Sequence, residues 1–254
     1  MIEKEKGEDN DSQREKVADI QGVSKVYLTK GDRVVALRDA TLEVKRGEFL
    51  CLVGPSGSGK TTLLNLIGGL DSLSKGKIFI EGIDITQLSQ SELSRLRHGL
   101  MGYIFQTYNL ISVLSAAENV ELPLIFDPIA EKDLKDRAVG LLTRVGLSGR
   151  LGHKPSELSG GEQQRVAIAR ALVSNPSIVL ADEPTANLDG KTGQEILELM
   201  KNLSKERGVT FIVATHDTRV LKYADRVVQI MDGRITGEET STPDTETAHP
   251  AHPS

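Results

Sequence analysis

The stretch Gly54-Pro55-Ser56-Gly57-Ser58-Gly59-Lys60-Thr61 decides the fold of this chain. It fits the pattern G-x-x-x-x-G-K-[ST], a glycine-rich loop that wraps phosphate groups. An apolar run, Phe49–Val53, precedes the loop, and residues 62–67 follow it with a helix-like composition. Because strand, glycine loop and helix follow one another directly, the sequence predicts a phosphate-binding loop inside an α/β domain.

The residue types of this loop determine its expected chemistry. Glycines let backbone N–H groups turn inward around phosphate oxygens, and the following helix adds its positive N-terminal end. The Lys60 ammonium is expected to reach the β- and γ-phosphates, and the Thr61 hydroxyl is expected to ligate Mg²⁺. The residues expected to contact the nucleotide here are Gly54, Pro55, Ser56, Gly57, Ser58, Gly59, Lys60, Thr61 and Thr62.

Composition and charge narrow the class of protein. The chain has 254 residues, enough for one domain with a full core and an attached subdomain. Its net charge of −5 gives no electrostatic reason to expect nucleic acid as a partner. No apolar run approaches the ~20 residues that span a bilayer, and residues 1–16 contain no apolar segment typical of a secretory signal. Any membrane contact is therefore expected to be made through another chain.

Periodicity along the chain predicts strands on both sides of the loop. Residues 17–27 and 34–44 alternate apolar and polar side chains, as half-buried antiparallel strands do. Residues 76–85 have the pattern of a hairpin. Residues 177–181 and 210–214 are continuous apolar runs, which are typical of strands buried on both faces of a parallel sheet.

These patterns predict one folded unit with a polar segment at each end. We expect a disordered leader over residues 1–16, a folded domain over residues 17–237 and a disordered tail over residues 238–254. Residues 107–173 are rich in helical patterns. The predicted fold class is therefore α/β, with a mostly parallel sheet in a P-loop core, an added antiparallel β-subdomain and an inserted α-helical subdomain.

Two carboxylates end the apolar run of residues 178–183. A P-loop nucleoside triphosphatase needs an acidic group at the end of a neighbouring strand to hold Mg²⁺. Asp182 suits that role, through water, because Mg²⁺ keeps much of its hydration shell. Glu183 is then placed to polarise the attacking water.

A second glycine-containing helix start lies at residues 158–165, Leu-Ser-Gly-Gly-Glu-Gln-Gln-Arg. Ser159, Gly160 and Gly161 open a helix, and a helix N-terminus can bind an anion. Taken alone, this pattern favours an ordinary capped helix with a glycine-rich entry.

Together these motifs resemble the ATP-binding subunits of ABC transporters. Residues 158–164 are similar to the signature motif of that family, residues 54–61 to its Walker A loop and residues 178–183 to its Walker B strand. The other matches are Tyr27 for the adenine-stacking aromatic residue, Gln106 for the Q-loop glutamine, residues 187–189 for the D-loop and His216 for the switch histidine. The resemblance runs in the family's order from about residue 20 to residue 235.

The resemblance implies a dimer that forms head to tail around two ATP molecules. The P-loop of one copy would face the signature helix of the other. Ser159, Gly160 and Gly161 are therefore expected to contact the γ-phosphate held by Lys60 of the partner subunit. A single chain would hold only half of each site.

The resemblance also implies the roles of the remaining site residues. Glu183 is expected to act as general base, and His216 to hold the γ-phosphate and the water in line. Gln106 is expected to contact Mg²⁺ and the water, and Tyr27 to stack on adenine. ATP and Mg²⁺ are the cofactors this implies.

The sequence after the Q-loop glutamine points to a subgroup. Residues 102–110, with residues 66–71, resemble the lipoprotein-release and macrolide-export proteins of the family. That subgroup implies a homodimer bound to a membrane permease on the cytoplasmic face of the inner membrane. Tyr108 and Leu110 are expected to lie where the permease docks.

Other functions remain open at this stage. The chain could energise an importer, or it could be a soluble regulatory ABC ATPase that acts on ribosomes or DNA. A scaffold that binds nucleotide without hydrolysis is disfavoured because Asp182, Glu183 and His216 are all present. The cargo and its direction depend on the permease.

Overall fold

The computed structural model describes residues 15–28, 31–125 and 127–240. The strands are β1 Lys16–Leu28, β2 Arg33–Lys45, β3 Phe49–Val53, β4 Lys75–Ile80, β5 Ile83–Asp84, β6 Met101–Ile104, β7 Ile178–Asp182, β8 Thr210–Thr215, β9 Arg226–Met231 and β10 Arg234–Thr240. The α-helices are α1 Lys60–Ile67, α2 Gln90–Leu100, α3 Ala116–Glu121, α4 Glu131–Arg144, α5 Gly160–Leu172 and α6 Gly190–Arg207.

The predicted ends of the folded domain need correction on both sides. Lys16, in the predicted leader, begins β1, and residues 238–240, in the predicted tail, end β10. Glu238 pairs with Val228 of β9, and Thr240 pairs with Arg226. Most of β10 is exposed, so it lacks the apolar alternation that marks a half-buried strand. The rest of the predicted leader and tail, residues 1–14 and 241–254, lies outside the described residues.

A mostly parallel sheet forms the centre, as predicted, with strand order β10-β9-β3-β8-β7-β6. The strands β9, β3, β8, β7 and β6 run parallel, and β10 joins the edge antiparallel to β9. Every residue of β8 is buried, as are nearly all residues of β3 and β7. Because β3, β8 and β7 are neighbours, the segments that follow their carboxyl ends meet at one edge of the sheet.

The predicted antiparallel subdomain is a separate sheet with order β2-β1-β4-β5. One core layer lies between this sheet, α1 and one face of the parallel sheet, and it includes Ile20, Leu63, Ile67 and Ile212. This layer fixes α1, and with it the loop that begins the helix.

The other face of the parallel sheet packs against α6 and the helical subdomain. Its core layer includes Phe49, Val120, Leu142, Ile168 and Phe211. Helices α3, α4 and α5 pack together within predicted residues 107–173. No helix among the described residues has both the length and the apolar character needed to cross a membrane.

Candidate functional site

The glycine loop ends where α1 begins, and the start of that helix has no side-chain cap. Gly59 occupies the N-cap position with φ of 108°, and no acidic residue lies in the first turn. A Cβ atom at Gly59 would lie 2.6 Å from the Ala36 carbonyl oxygen, so only glycine fits there. The first N–H groups of α1 therefore remain available for an anion, as a phosphate site requires.

Lys60 lies inside this loop. The residue is 6% exposed, and its ammonium group donates to the carbonyl oxygens of Gly54 at 2.8 Å and Pro55 at 3.0 Å. These two hydrogen-bond acceptors are neutral, and the Lys60 ammonium also interacts electrostatically with the Asp182 carboxylate. The loop therefore offers a cation, together with helix N–H groups, to a bound phosphate.

Thr61 and Asp182 lie together, as predicted for the metal site. The Thr61 hydroxyl donates to Asp182 Oδ1 at 2.9 Å, although the two residues belong to α1 and β7. Burial and the nearby Glu183 carboxylate raise the pKa of Asp182, and the hydrogen bond from Thr61 opposes this rise. A hydroxyl oxygen beside a carboxylate fits Mg²⁺, which prefers oxygen ligands.

Glu183 and His216 contact each other directly, which their separation of 33 residues does not reveal. Glu183 adopts a left-handed conformation with φ of 47°, and its Oε1 lies 2.8 Å from His216 Nδ1. The Thr215 hydroxyl donates to Glu183 Oε2 at 2.9 Å. The carboxylate side chain is 14% exposed and the imidazole 65% exposed, so the predicted base is held while the histidine faces outward.

The loop after His216 is fastened by residues that sequence reasoning missed. The Arg219 Nε atom lies 2.9 Å from both oxygens of Asp217, and Arg219 Nη1 donates to the Gly190 carbonyl oxygen at 3.0 Å. The Thr185 hydroxyl also donates to Asp217, at 3.0 Å. This network ties the histidine loop to the start of α6.

Gln106 is an exposed residue that follows β6, and the backbone two residues beyond it adopts a left-handed conformation. Its carbonyl oxygen accepts from the Asn187 amide at 2.8 Å, which links the Q-loop and D-loop segments. Tyr108 and Asn109 have φ of 60° and 50°. The Arg170 guanidinium of α5 donates to their carbonyl oxygens at 2.7 Å and 2.6 Å. Sequence reasoning missed Arg170, since only the fold brings α5 to this loop.

Tyr108 and Leu110, which we expect to lie where a permease docks, are both only partly exposed. Leu110 is partly buried and packs against the core layer that contains the helical subdomain. A Cβ atom at Gly160 would lie 3.1 Å from the Tyr108 hydroxyl, so Tyr108 lies beside the signature helix. Between Gln106 and residue 125, the exposed large apolar residues are Ile111, Val113 and Ile125.

The signature segment forms a well-capped helix start. The Ser159 hydroxyl accepts from the Glu162 N–H at 3.3 Å, and Glu162 Oε2 accepts from the Ser159 N–H at 2.8 Å. Hydrogen bonds from Arg150 and Ser159 lower the pKa of Glu162 to about 2. A Cβ atom at Gly160 would meet Tyr108, Leu188 and Asn187, and one at Gly161 would meet only Thr192. No P-loop residue is among these neighbours.

Tyr27 lies beside the P-loop helix, where the predicted base-stacking residue should lie. Its ring is partly exposed, its hydroxyl donates to Asp71 Oδ2 at 2.7 Å, and Thr62 of α1 is also a hydrogen-bonding neighbour of that hydroxyl. Burial and the bond to Asp71 raise the pKa of the Tyr27 hydroxyl. The stacking itself remains a prediction.

A parallel sheet, a phosphate loop at the carboxyl end of β3 and an Asp-Glu pair at the end of β7 define a P-loop nucleoside triphosphatase. The sequence profile of the family described as ABC transporter matches residues 37–186. The chain therefore belongs to the ATP-binding domains of that family, and it is an ATPase.

Known relatives agree with this assignment. An uncharacterized ABC transporter ATP-binding protein of Thermotoga maritima is 49% identical over 224 residues, covering 88% of this chain and 95% of the relative. The macrolide export ATP-binding/permease protein MacB of a Shewanella species is 45% identical over 224 residues, which cover 88% of this chain and 34% of MacB.

A solved structure of the ATP-binding cassette MJ0796, a protein of Methanocaldococcus jannaschii, has a similar fold. Its TM-score is 0.82 at 44% identity, with 88% of this chain and 98% of that chain covered. That structure is a dimer in a post-hydrolysis state, bound to ADP and Pi.

Proposed function

We propose that this chain is the ATP-hydrolysing subunit of a membrane transporter, that it dimerises around two ATP molecules and that it drives a separate permease. The observation that carries the proposal is the position of the signature helix start. Ser159, Gly160 and Gly161 form the start of α5, and the residues nearest to the two glycines belong to the Q-loop, the D-loop and α6. A second copy would bring this start to the phosphate held by the P-loop.

In the proposed reaction the site residues exchange their present contacts for nucleotide. Lys60 would leave the Gly54 and Pro55 carbonyl oxygens and contact the phosphates. Thr61, Asp182 and Gln106 would hold Mg²⁺, which when bound neutralises charge on the β- and γ-phosphates. Positioning and charge stabilisation of this kind supply most of the catalysis in phosphoryl transfer.

Glu183 would accept the proton of the attacking water. Its contact with His216 must open first, because the carboxylate now uses both oxygens on Thr215 and His216. The exposed imidazole would then turn to the γ-phosphate. This rearrangement makes hydrolysis depend on closure of the dimer.

We place the permease contact on the groove between the Q-loop and the helical subdomain. The groove has a volume of about 380 Å³, and Leu70, Phe105, Leu122 and Arg170 are among the residues that line it. Leu70 is 47% exposed in this groove, and we extend the proposed contact to Val113, which is 71% exposed on the segment between the Q-loop and α3. The macrolide export ATP-binding/permease relatives support a partner of the export type over an importer.

Co-purification with a tagged permease encoded beside this chain tests the proposal. Leu70→Asp and Val113→Asp should abolish co-purification and leave the ATPase rate of the isolated chain unchanged. Val139→Asp, which adds the same charge on an exposed position of α4, is the matched control. Binding that survives both changes would move the docking site elsewhere, and a wild-type chain that retains no permease would contradict the transporter role.

A further inference from the structure

A compact polar cluster contacts Tyr27, and no role has been assigned above to its other members. The Asp71 cluster consists of Lys25 and Tyr27 on β1 and of Asp71 and Ser72 after α1. Lys25 Nζ donates to Asp71 Oδ1 at 2.6 Å, Tyr27 donates to Asp71 Oδ2 at 2.7 Å, and the Ser72 N–H donates to Oδ1 at 2.7 Å. Both carboxylate oxygens are therefore occupied.

The cluster fixes the ring of Tyr27 in position and in tilt. Lys25 is 7% exposed, and a buried ammonium is tolerated only with a paired carboxylate. Burial alone would raise the pKa of Asp71, but the hydrogen bonds from Lys25 and Tyr27 lower it below its ordinary value. Asp71 is thus an ionised anchor, shared by a buried cation and the tyrosine hydroxyl.

Lys25 also occupies one side of the tyrosine ring. Its Nζ atom lies 4.7 Å from the ring centroid, within the range of a cation–π contact. A base that stacks on Tyr27 can therefore use only the opposite face. The cluster removes both the rotational freedom of the ring and one of its two faces before nucleotide arrives.

We propose that Asp71 is a positioning residue for base recognition: it holds Tyr27, with Lys25 beneath the ring, so that one face is pre-ordered to stack on the base of the nucleotide. This inference rests on the proposed stacking role of Tyr27. Asp71 would act through the tyrosine and would touch neither base nor phosphate. Pre-ordering favours binding because a side chain that is already fixed loses no rotamer freedom in the complex.

Calorimetric titration with two ligands separates the contribution of the base to binding from that of the phosphates. ADP and inorganic tripolyphosphate are the two probes, and Asp71→Asn, Tyr27→Phe and Tyr27→Ala are the variants. Asp71→Asn and Tyr27→Phe should each weaken ADP binding about two- to tenfold, because the ring must then be ordered on binding. Tripolyphosphate affinity should not change. The double variant should lose no more than the larger single loss, since both changes remove the same bond.

The Tyr27→Ala variant and a control substitution at an exposed aspartate of α4 complete the experiment. Tyr27→Ala should weaken ADP about fivefold or more, the range of base–aromatic stacking. Asp136→Asn, which removes an exposed charge on α4, should change neither affinity. An equal loss of ADP and tripolyphosphate in Asp71→Asn would overturn the proposal, because the cluster would then only support the fold.

The outcomes also separate this inference from the proposed stacking. If Tyr27→Ala leaves ADP affinity unchanged, the stacking role fails and the inference fails with it. If Tyr27→Ala weakens ADP while Asp71→Asn and Tyr27→Phe do not, only the positioning role of Asp71 is overturned.

Discussion

Replacing Asp217 by asparagine should slow ATP hydrolysis far more than it weakens ATP binding. The carboxylate follows His216 and accepts from Arg219 and Thr185. Arg219 continues the network to the Gly190 carbonyl oxygen. Asparagine keeps the size of the side chain and loses the charge that holds this network together.

The geometry sets the size of the effect. Hydrogen bonds to a charged group contribute about 1.5–3 kcal/mol, but the Arg219 side chain is 39% exposed and solvent screens the pair. We therefore expect a loss of about 1–2 kcal/mol in the free energy of unfolding. A shift of roughly 1 Å in a catalytic group costs about 100-fold in rate, so a loosened His216 should lower kcat by about 10- to 100-fold. The KM for ATP should change little because Asp217 lies outside the P-loop.

The stability difference should depend on pH in one direction. The hydrogen bond from Arg219 lowers the pKa of Asp217 from 3.8 to about 2. The folded state therefore favours the ionised carboxylate. The stability that this carboxylate contributes is fully present at pH values above its pKa in the unfolded chain. This contribution is lost as the pH falls toward 2. The difference in free energy of unfolding between wild type and Asp217→Asn should be largest at neutral pH. It should shrink as the pH falls from 3.8 toward 2.

Urea unfolding and steady-state phosphate release check these expectations. Glu206→Gln is the matched control, because Glu206 pairs with Arg144 on the surface at 2.9 Å with side chains about half exposed. The control should lose about 0–0.5 kcal/mol and keep its kcat. An Asp217→Asn variant that is destabilised but hydrolyses ATP at the wild-type rate would refute the positioning of His216 by this network.

Further predictions concern the phosphate loop and two buried contacts. Lys60→Ala should abolish phosphate release, and EDTA should do the same to the wild type; full activity in EDTA would contradict the metal assignment. Arg226→Met should destabilise the fold by about 3–5 kcal/mol in urea unfolding, since it leaves the Glu48 carboxylate, 4% exposed, without its cation. Gly102→Ala should lower the melting temperature by several degrees, because a Cβ atom there would lie 2.1 Å from the Ala171 carbonyl oxygen; an unchanged melting temperature would show that α5 can shift.

Much of the fold follows from local signals in the sequence. The apolar runs that became β7 and β8 predict buried parallel strands because both faces of such strands meet other layers. The glycine loop marks the start of α1, and Ser159 with Glu162 marks the start of α5 as a capping box. These signals placed the starts of α1 and α5 where the structure has them.

Contacts between segments that lie far apart in the sequence could not be predicted from such local signals. The pairing of Glu183 with His216 depends on the order of β7 and β8 in the sheet. Arg170 is one of several basic residues in the sequence, and only the left-handed backbone at Tyr108 and Asn109 gives it a role. Asp71 likewise becomes meaningful only when β1 brings Tyr27 beside it.

Solution mass of the Glu183→Gln variant tests the central claim, a nucleotide site shared by two copies. The amide keeps the shape of the side chain, removes the general base and removes a negative charge beside the γ-phosphate. ATP should then bind without hydrolysis and bridge two chains. A ligand that binds only the dimer stabilises the dimer by mass action.

Light scattering after size exclusion gives the result directly. With saturating ATP, Glu183→Gln should have twice the 27.6 kDa mass of one chain, and without ATP it should have that of a single chain. Adding Ser159→Arg should restore the single-chain mass, because the arginine would block the phosphate of the partner. A variant that stays monomeric with saturating ATP, or a dimer that survives Ser159→Arg, would contradict the shared site.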